Sequence, residues 1–225
     1  MLEQKYRSEL KLYINIADCM ELRSRLRHIA SPDPNAAQDG CYKIRSLYFD
    51  NYADKAVTDK LSGQSRREKF RLRYYNDDIS FIRLEKKSKM NKGCYKESAV
   101  VTFEQCQEIL NGYYNSLLSQ ETPLLSELYS KIRCQNLRPR MIIDYIREAY
   151  VYAAGNVRIT IDSDIKSSSN TTDFLIPDIP TIPSANAIVL EIKFDGFLPD
   201  IIREMIQLNN RQTTEFSKYV VARLV

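Results

Sequence analysis

Apolar and polar residues alternate with a period of two through much of this chain, and β-branched and aromatic residues crowd the alternating stretches. Such patterning marks strands, because successive side chains of an extended backbone point to opposite faces. It predicts strands at Tyr6–Ile14, Tyr42–Asp50, Glu68–Tyr75, Ile79–Lys87, Tyr95–Val101, Arg140–Tyr152, Val157–Asp162 and Ala187–Phe194. Helical spacing predicts helices at Ala17–Ile29, Phe103–Leu118, Leu124–Lys131, Pro199–Leu208 and Glu215–Leu224. Thr102 is placed to cap the second of these, with Gln105 at the capping-box position. Asp200 follows Pro199 where a first helical turn starts. Asn51–Lys55 and Ser62–Gln64 read as turns between strands, and Gly63–Arg67, which lacks the P-loop spacing, as a hairpin turn. The polar loop Ser167–Thr172 leads into a proline-broken stretch, Ile176–Pro183, and too few residues follow for a second core. The 225 residues are therefore read as a single α+β domain, 1–225, with strands dominating and helices added outside.

The polar face of these strands is unusual. Residues at i, i+2 and i+4 share a face, and here that face repeatedly carries charge. Glu9 and Lys11 flank Leu10; Arg71 and Arg73 flank Leu72; Arg83, Glu85 and Lys87 alternate with Leu84 and Lys86. Tyr145 and Arg147 share a face, as do Arg158, Thr160 and Asp162, and Glu191 and Lys193. A solvated sheet face accounts for any one strand. Six strands together are harder to account for so; if the sheet closes into a barrel with apolar residues outward under the helices, the charges line the lumen. Confined like charges repel and are poorly solvated, so a polyanion would be needed to fill such a lumen. The planar donor fork of arginine matches phosphate oxygens, which makes Arg71, Arg73, Arg83, Arg147 and Arg158 apt ligands. Glu9, Glu85 and Glu191 are open to two readings, as ion-pair partners of these cations or as holders of a divalent metal.

Composition narrows the chemistry. Lys and Arg total 33 against 29 Asp and Glu, a net charge of +4, too mild to indicate nucleic acid. Fifteen tyrosines could stack bases, yet no RNP-like, zinc or helix-turn-helix pattern is present. The five cysteines are odd in number and never form a CxxC pair, which points to a reducing, cytoplasmic setting. No apolar run approaches the ~18 residues of a membrane span, although a membrane protein could recruit the chain. The single histidine, His28, lies in a helical segment and is read as a structural or surface residue. A Ser-His-Asp triad and a multi-histidine metal site are thereby set aside, and any metal falls to carboxylates, which suit Mg²⁺ or Mn²⁺. The basic run Lys86–Lys92 reads as a solvated loop, with a guiding role for polyanions as the alternative.

Taken in order, several stretches resemble a known family, the VTC domain, the polyphosphate polymerase branch of the triphosphate tunnel metalloenzymes. They are Glu9-Leu-Lys11, Arg45-Ser-Leu-Tyr-Phe-Asp-Asn51, Arg71-Leu-Arg73, Arg83-Leu-Glu-Lys-Lys87, Tyr145-Ile-Arg-Glu-Ala-Tyr150, Val157-Arg-Ile-Thr-Ile-Asp162, Leu190-Glu-Ile-Lys193 and Phe216-Ser-Lys-Tyr219. The resemblance implies a closed, eight-stranded antiparallel tunnel that holds ATP and polyphosphate or triphosphate. It implies that Lys11, Arg71, Arg73, Arg83, Arg147, Arg158 and Lys218 contact phosphates, with Lys87 and Lys193 as further lumen members. Glu191, with Glu9 as a second carboxylate, would hold Mn²⁺ or Mg²⁺, and Ser217 and Lys218 would close one end. The expected catalytic set is Arg71, Arg73, Arg147, Arg158 and Lys218. The related hydrolases carry Glu-x-Glu-x-Lys on the first strand; here it is Arg7-Ser-Glu9-Leu-Lys11, which favours the polymerase branch. The SPX and membrane parts of the eukaryotic polymerases are not found in these residues. The implied activity is polyphosphate synthesis from ATP; hydrolysis of triphosphate or nucleoside triphosphate, or binding of polyphosphate or an inositol phosphate without turnover, are the alternatives.

Overall fold

A computed structural model describes residues 7–37, 40–90, 93–118, 122–185, 187–208 and 211–225. Tyr6 at the head of the first expected strand, and Asn91 and Lys92 of the basic run, lie outside the described residues. Among the described residues, ten strands and six α-helices follow one another. The first half holds β1 (Arg7–Ile14), α1 (Ile16–Leu26), β2 (Ser31–Pro32), β3 (Cys41–Asp50), α2 (Lys55–Leu61), β4 (Arg66–Tyr75), β5 (Ile82–Met90), β6 (Gly93–Val101) and α3 (Phe103–Leu110). The second holds α4 (Pro123–Gln135), β7 (Arg138–Tyr152), β8 (Val157–Ser168), β9 (Ile182–Ala185), β10 (Ile188–Asp195), α5 (Asp200–Met205) and α6 (Lys218–Leu224).

The eight expected strands are all present, shifted at their ends by up to six residues. The principal strand order is β1-β10-β8-β7-β3-β4-β5-β6, with β2 on β7 and β9 on β8. That path has two ends, β1 and β6, so the described pairing does not close the sheet into the ring that the resemblance implied. The fold is an α+β antiparallel sheet.

The chain divides into two compact units. One comprises residues 1–43, 145–165 and 185–217; the other comprises 44–144, 166–184 and 218–225. In the first unit, α1 and α5 pack on one face of β1, β8 and β10. Leu22, Leu26 and Ile202 meet Ile159, Ile161, Leu190 and Ile192, all fully buried. Asn15 caps α1, accepting from the Asp18 amide while the Asp18 carboxylate accepts from the Asn15 amide, both at 2.9 Å. Because side chains alternate, Glu9, Lys11, Arg158, Thr160, Glu191 and Lys193 fall on the opposite face.

In the second unit, α3 and α4 cover the apolar face of β3, β4 and β5. Leu47, Phe70, Leu72, Ile82 and Leu84 meet Ile109, Leu128 and Ile132. Burying such side chains contributes roughly 1.5–3 kcal/mol each. Thr102 and Gln105 make the reciprocal capping box read from the sequence. Arg45 is fully buried, and its fork donates to Asp144 at 2.8 and 2.7 Å. The same guanidinium reaches the carbonyls of Ile176 and Pro177 and so ties down the proline-rich segment.

Three readings are corrected. The expected turns at Asn51–Lys55 and Ser62–Gln64 enclose α2, a short helix that buries only Val57 and so leaves little apolar periodicity. Gly63 consequently turns a helix into β4 rather than joining two strands, at φ 71°. The run beginning at Lys86 is strand as far as Met90, not loop. Alternation turns Lys86 to the helix side, where it meets Glu127 at 2.6 Å, Glu97 at 3.5 Å and the Phe70 ring.

Candidate functional site

In the first unit the register sets opposite charges across from one another. Glu9 faces Lys193, Lys11 faces Glu191, and beyond them Glu191 faces Thr160 and Lys193 faces Arg158. Lys11 Nζ lies 2.6 Å from Glu9 and 3.9 Å from Glu191 Oε2, while Lys193 Nζ lies 2.5 Å from Glu191 Oε1. Burial works against ionised Glu191, but Lys193, Lys11 and Arg147 outweigh it and hold the carboxyl well below its ordinary range. Burial also lowers Lys193, against the pull of Glu191 and Glu9. Lys11 ends above its ordinary value, because Glu191 and Glu9 overcome burial. Lys193 is the ammonium nearer Glu191, and burial disfavours its charge.

Arg147 and Arg158 are both held by carboxylates. Arg147 donates bidentately to the fully buried Asp162 at 2.6 and 2.7 Å and lies 5.4 Å from the Tyr145 ring. Arg158 donates to Asp33 at 2.7 Å and to the Tyr42 hydroxyl. Lys11, Lys193, Arg147 and Arg158 are therefore matched by Glu9, Glu191, Asp162 and Asp33. In the first unit these charges form a matched mosaic rather than a basic surface.

The second unit is different. Arg71 donates to Glu85 at 2.7 Å and to the Tyr48 hydroxyl at 2.9 Å. Arg73 donates to Ser46 at 3.0 Å and lies 3.6 Å from Glu85, which Lys96 meets at 2.5 Å. Lys69 sits over the Tyr48 ring at 5.7 Å. Burial opposes the charge of Glu85, yet Arg71, Arg73 and Lys96 drive its carboxyl far below the usual range. Within this group Arg71, Arg73 and Lys96 converge on the Glu85 carboxylate, while Lys69 lies beside them over Tyr48.

The remaining expected residues are placed less centrally. Arg83 is exposed, its guanidinium 4.7 Å from the Phe81 ring. Lys87 is half-buried and opposite both Lys69 and Lys96. Lys218 opens α6, with Ser217 immediately before it, and the division between the two units falls between them. Lys69, Tyr48 and Lys96 were not singled out in the sequence. Lys69 was legible there, since Lys69, Arg71 and Arg73 share one face at successive alternate positions; Lys96 and Tyr48 carried no such signal.

The oxygen donors around Glu191 fit a hard divalent cation. Glu191 is ionised, Glu9 is linked to it through Lys11, and Thr160 Oγ1, opposite Glu191, is buried with no hydrogen-bond partner among the described residues. No group of three or more His, Cys, Asp or Glu suited to a metal occurs among the described residues. One or two carboxylates completed by phosphate oxygens and water are a usual set for Mg²⁺. His28 is exposed. No helix among the described residues is long and apolar enough to cross a membrane.

Each unit thus carries helices on one face of its strands and ion pairs on the other. The VTC domain model matches residues 6–225. The chain belongs to the VTC domain family. Among solved structures, a Bacillus halodurans protein provisionally described as an adenylate cyclase shares the fold, with a TM-score of 0.52, 14% identity, and coverage of 90% of this chain and 87% of that one. A Pyrococcus horikoshii protein aligns at a TM-score of 0.44 and 15% identity, over 89% and 84% of the respective chains. No curated protein matches in sequence.

Proposed function

We propose that this chain binds a chain of phosphates and, with a divalent cation, transfers the γ-phosphoryl group of ATP onto the end of polyphosphate, working in the cytoplasm as one functional domain. Ionised Glu191, poised between Lys193 and Lys11 and opposite a Thr160 hydroxyl without a partner among the described residues, is the observation that carries the proposal. Glu191, with Glu9, would hold Mn²⁺ or Mg²⁺, which supplies neutralisation of charge on the phosphoryl oxygens. Lys193 and Lys11, released from the carboxylates, then become donors to phosphate. Arg71 and Arg73, beside Glu85, bind and orient phosphate oxygens. Arg147 and Arg158 are held in fixed orientations by Asp162 and Asp33. Lys87, Lys218 and Ser217 add polar groups, and Arg83 adds an exposed charge. Phosphoryl transfer of this kind rests on positioning and charge compensation more than on covalent catalysis, and no histidine or cysteine nucleophile is required.

Incubation with ATP and Mn²⁺, followed by gel electrophoresis of phosphate chains, tests the proposal. A ladder of long chains is expected. Release of phosphate without chains assigns hydrolysis instead, and tight tripolyphosphate binding without turnover under Mn²⁺ or Mg²⁺ assigns a binding module.

A further inference from the structure

Tyr48 occupies a position in the second unit that phosphate binding alone does not explain. It lies on β3, buried, with its hydroxyl accepting from Arg71 Nη1 at 2.9 Å. Among the described residues that hydroxyl donates to nothing, so its own proton has no acceptor. Cations crowd it from β4: Lys69 and Arg71 each lie 5.7 Å from the ring centroid, and Arg73 is the next cation on the same strand face. Its ring stacks on Tyr219 of α6 at 5.0 Å and 18°. The Tyr219 hydroxyl is turned away, donating to Asp50 at 3.0 Å. Asp50 also accepts from the amides of Asn51 and Ala56. From β5, Glu85 is engaged by Arg71, Arg73 and Lys96. A phenol that accepts from a guanidinium, sits among cations and has no acceptor of its own is arranged to carry negative charge.

We infer that Tyr48 is a proton-linked placeholder for phosphate: as tyrosinate it offsets the Arg71 cluster in the empty protein, and it takes up a proton when a phosphate chain arrives. The inference rests on the proposed phosphate-binding role of Arg71. In the ligand-free state Arg71 is fixed between Glu85 and the Tyr48 oxygen. A phosphate anion approaching Arg71 meets a neighbouring phenolate and is repelled by it. Transfer of one proton from solvent to Tyr48 Oη removes that repulsion and leaves the hydroxyl free to donate to a phosphate oxygen. The balance is one phosphate ligand bound and one proton consumed. The electrostatics agree. Burial opposes ionisation of Tyr48, but Arg71, Lys69 and Arg73 outweigh it and bring the phenol from 10.0 to about 7. By linkage, a bound anion that offsets those cations must raise the value again.

The test is a pH titration of the full chain followed by tyrosinate ultraviolet absorbance, with and without tripolyphosphate, beside calorimetry of tripolyphosphate binding. The wild type should show one tyrosine ionising with a midpoint near 7, and saturating tripolyphosphate should move that step upward. Affinity should fall about tenfold more per pH unit above the midpoint in the wild type than in Tyr48→Phe. Absence of any tyrosine ionising near neutrality in the wild type would overturn the inference without recourse to a variant. So would a ligand-induced shift that survives in Tyr48→Phe. If tripolyphosphate binds tightly with no proton uptake, Tyr48 is excluded while the phosphate-binding role stands. If the ionisation is present but tripolyphosphate does not bind, the phosphate-binding role fails, and the placeholder role with it.

Discussion

Glu191 and Lys193 stand two residues apart on the same face of β10 and meet at 2.5 Å, with the carboxylate held ionised and the ammonium pulled below its ordinary value by burial. On the proposed function, a divalent cation would compete for this carboxylate and release the ammonium beside it.

Glu191→Ala should abolish metal-dependent turnover. The variant leaves Lys11 and Lys193 in place with one fewer carboxylate, so tripolyphosphate affinity without metal should hold or rise. Turnover at the wild-type rate would remove Glu191 from the metal role.

Glu85 presents the opposite case, a carboxylate that restrains cations rather than awaiting one. Glu85→Gln removes the counter-charge from Arg71, Arg73 and Lys96, and breaking such a buried cluster costs about 3 kcal/mol. Thermal unfolding should report the loss, and tripolyphosphate should restore more stability to the variant than to the wild type. Equal stabilisation of the two would show that the anion does not reach this cluster.

The same carboxylate predicts an acid limit. Its folded value lies below the ordinary glutamate value of about 4.3, in the direction set by Arg71, Arg73 and Lys96 against burial. Its contribution is full above the ordinary value and is lost as pH falls through the depressed one. Urea unfolding followed from pH ~6 to ~3 should lose stability more steeply in the wild type than in Glu85→Gln. Parallel profiles would exclude Glu85 as a source of acid lability.

Arg45 tests the fold rather than the site. Arg45→Met leaves Asp144 buried without its partner and frees the carbonyls of Ile176 and Pro177. A loss of about 3–5 kcal/mol is expected in denaturant unfolding; a change within ~0.5 kcal/mol, as for an ordinary surface site, would show that the buried pair is dispensable.

Strand positions were legible in the sequence because Leu72, Leu84, Ile159 and Ile192 alternate with charged neighbours, and that alternation also identified the charged face. The failures have physical causes. The closed ring was an expectation from resemblance, and alternation contains no term for which edges pair. Helix α2 escaped because one buried valine gives no period. Charge matching was the larger omission: Asp162 and Asp33 neutralise Arg147 and Arg158 across 15 and 125 positions of sequence, separations at which spacing says nothing. Arg71 and Arg73 were found because their pattern is local, and Lys69 belonged to the same local pattern.

Calorimetric titration of tripolyphosphate, with and without Mn²⁺, tests the central claim most directly when wild type, Arg71→Ala/Arg73→Ala and Glu191→Ala are compared. Loss of two charged donors should weaken metal-free binding at least tenfold, since each such hydrogen bond contributes about 1.5–3 kcal/mol. Glu191→Ala should bind without metal and lose only the gain from Mn²⁺. Wild-type affinity in the Arg71→Ala/Arg73→Ala variant would contradict the account.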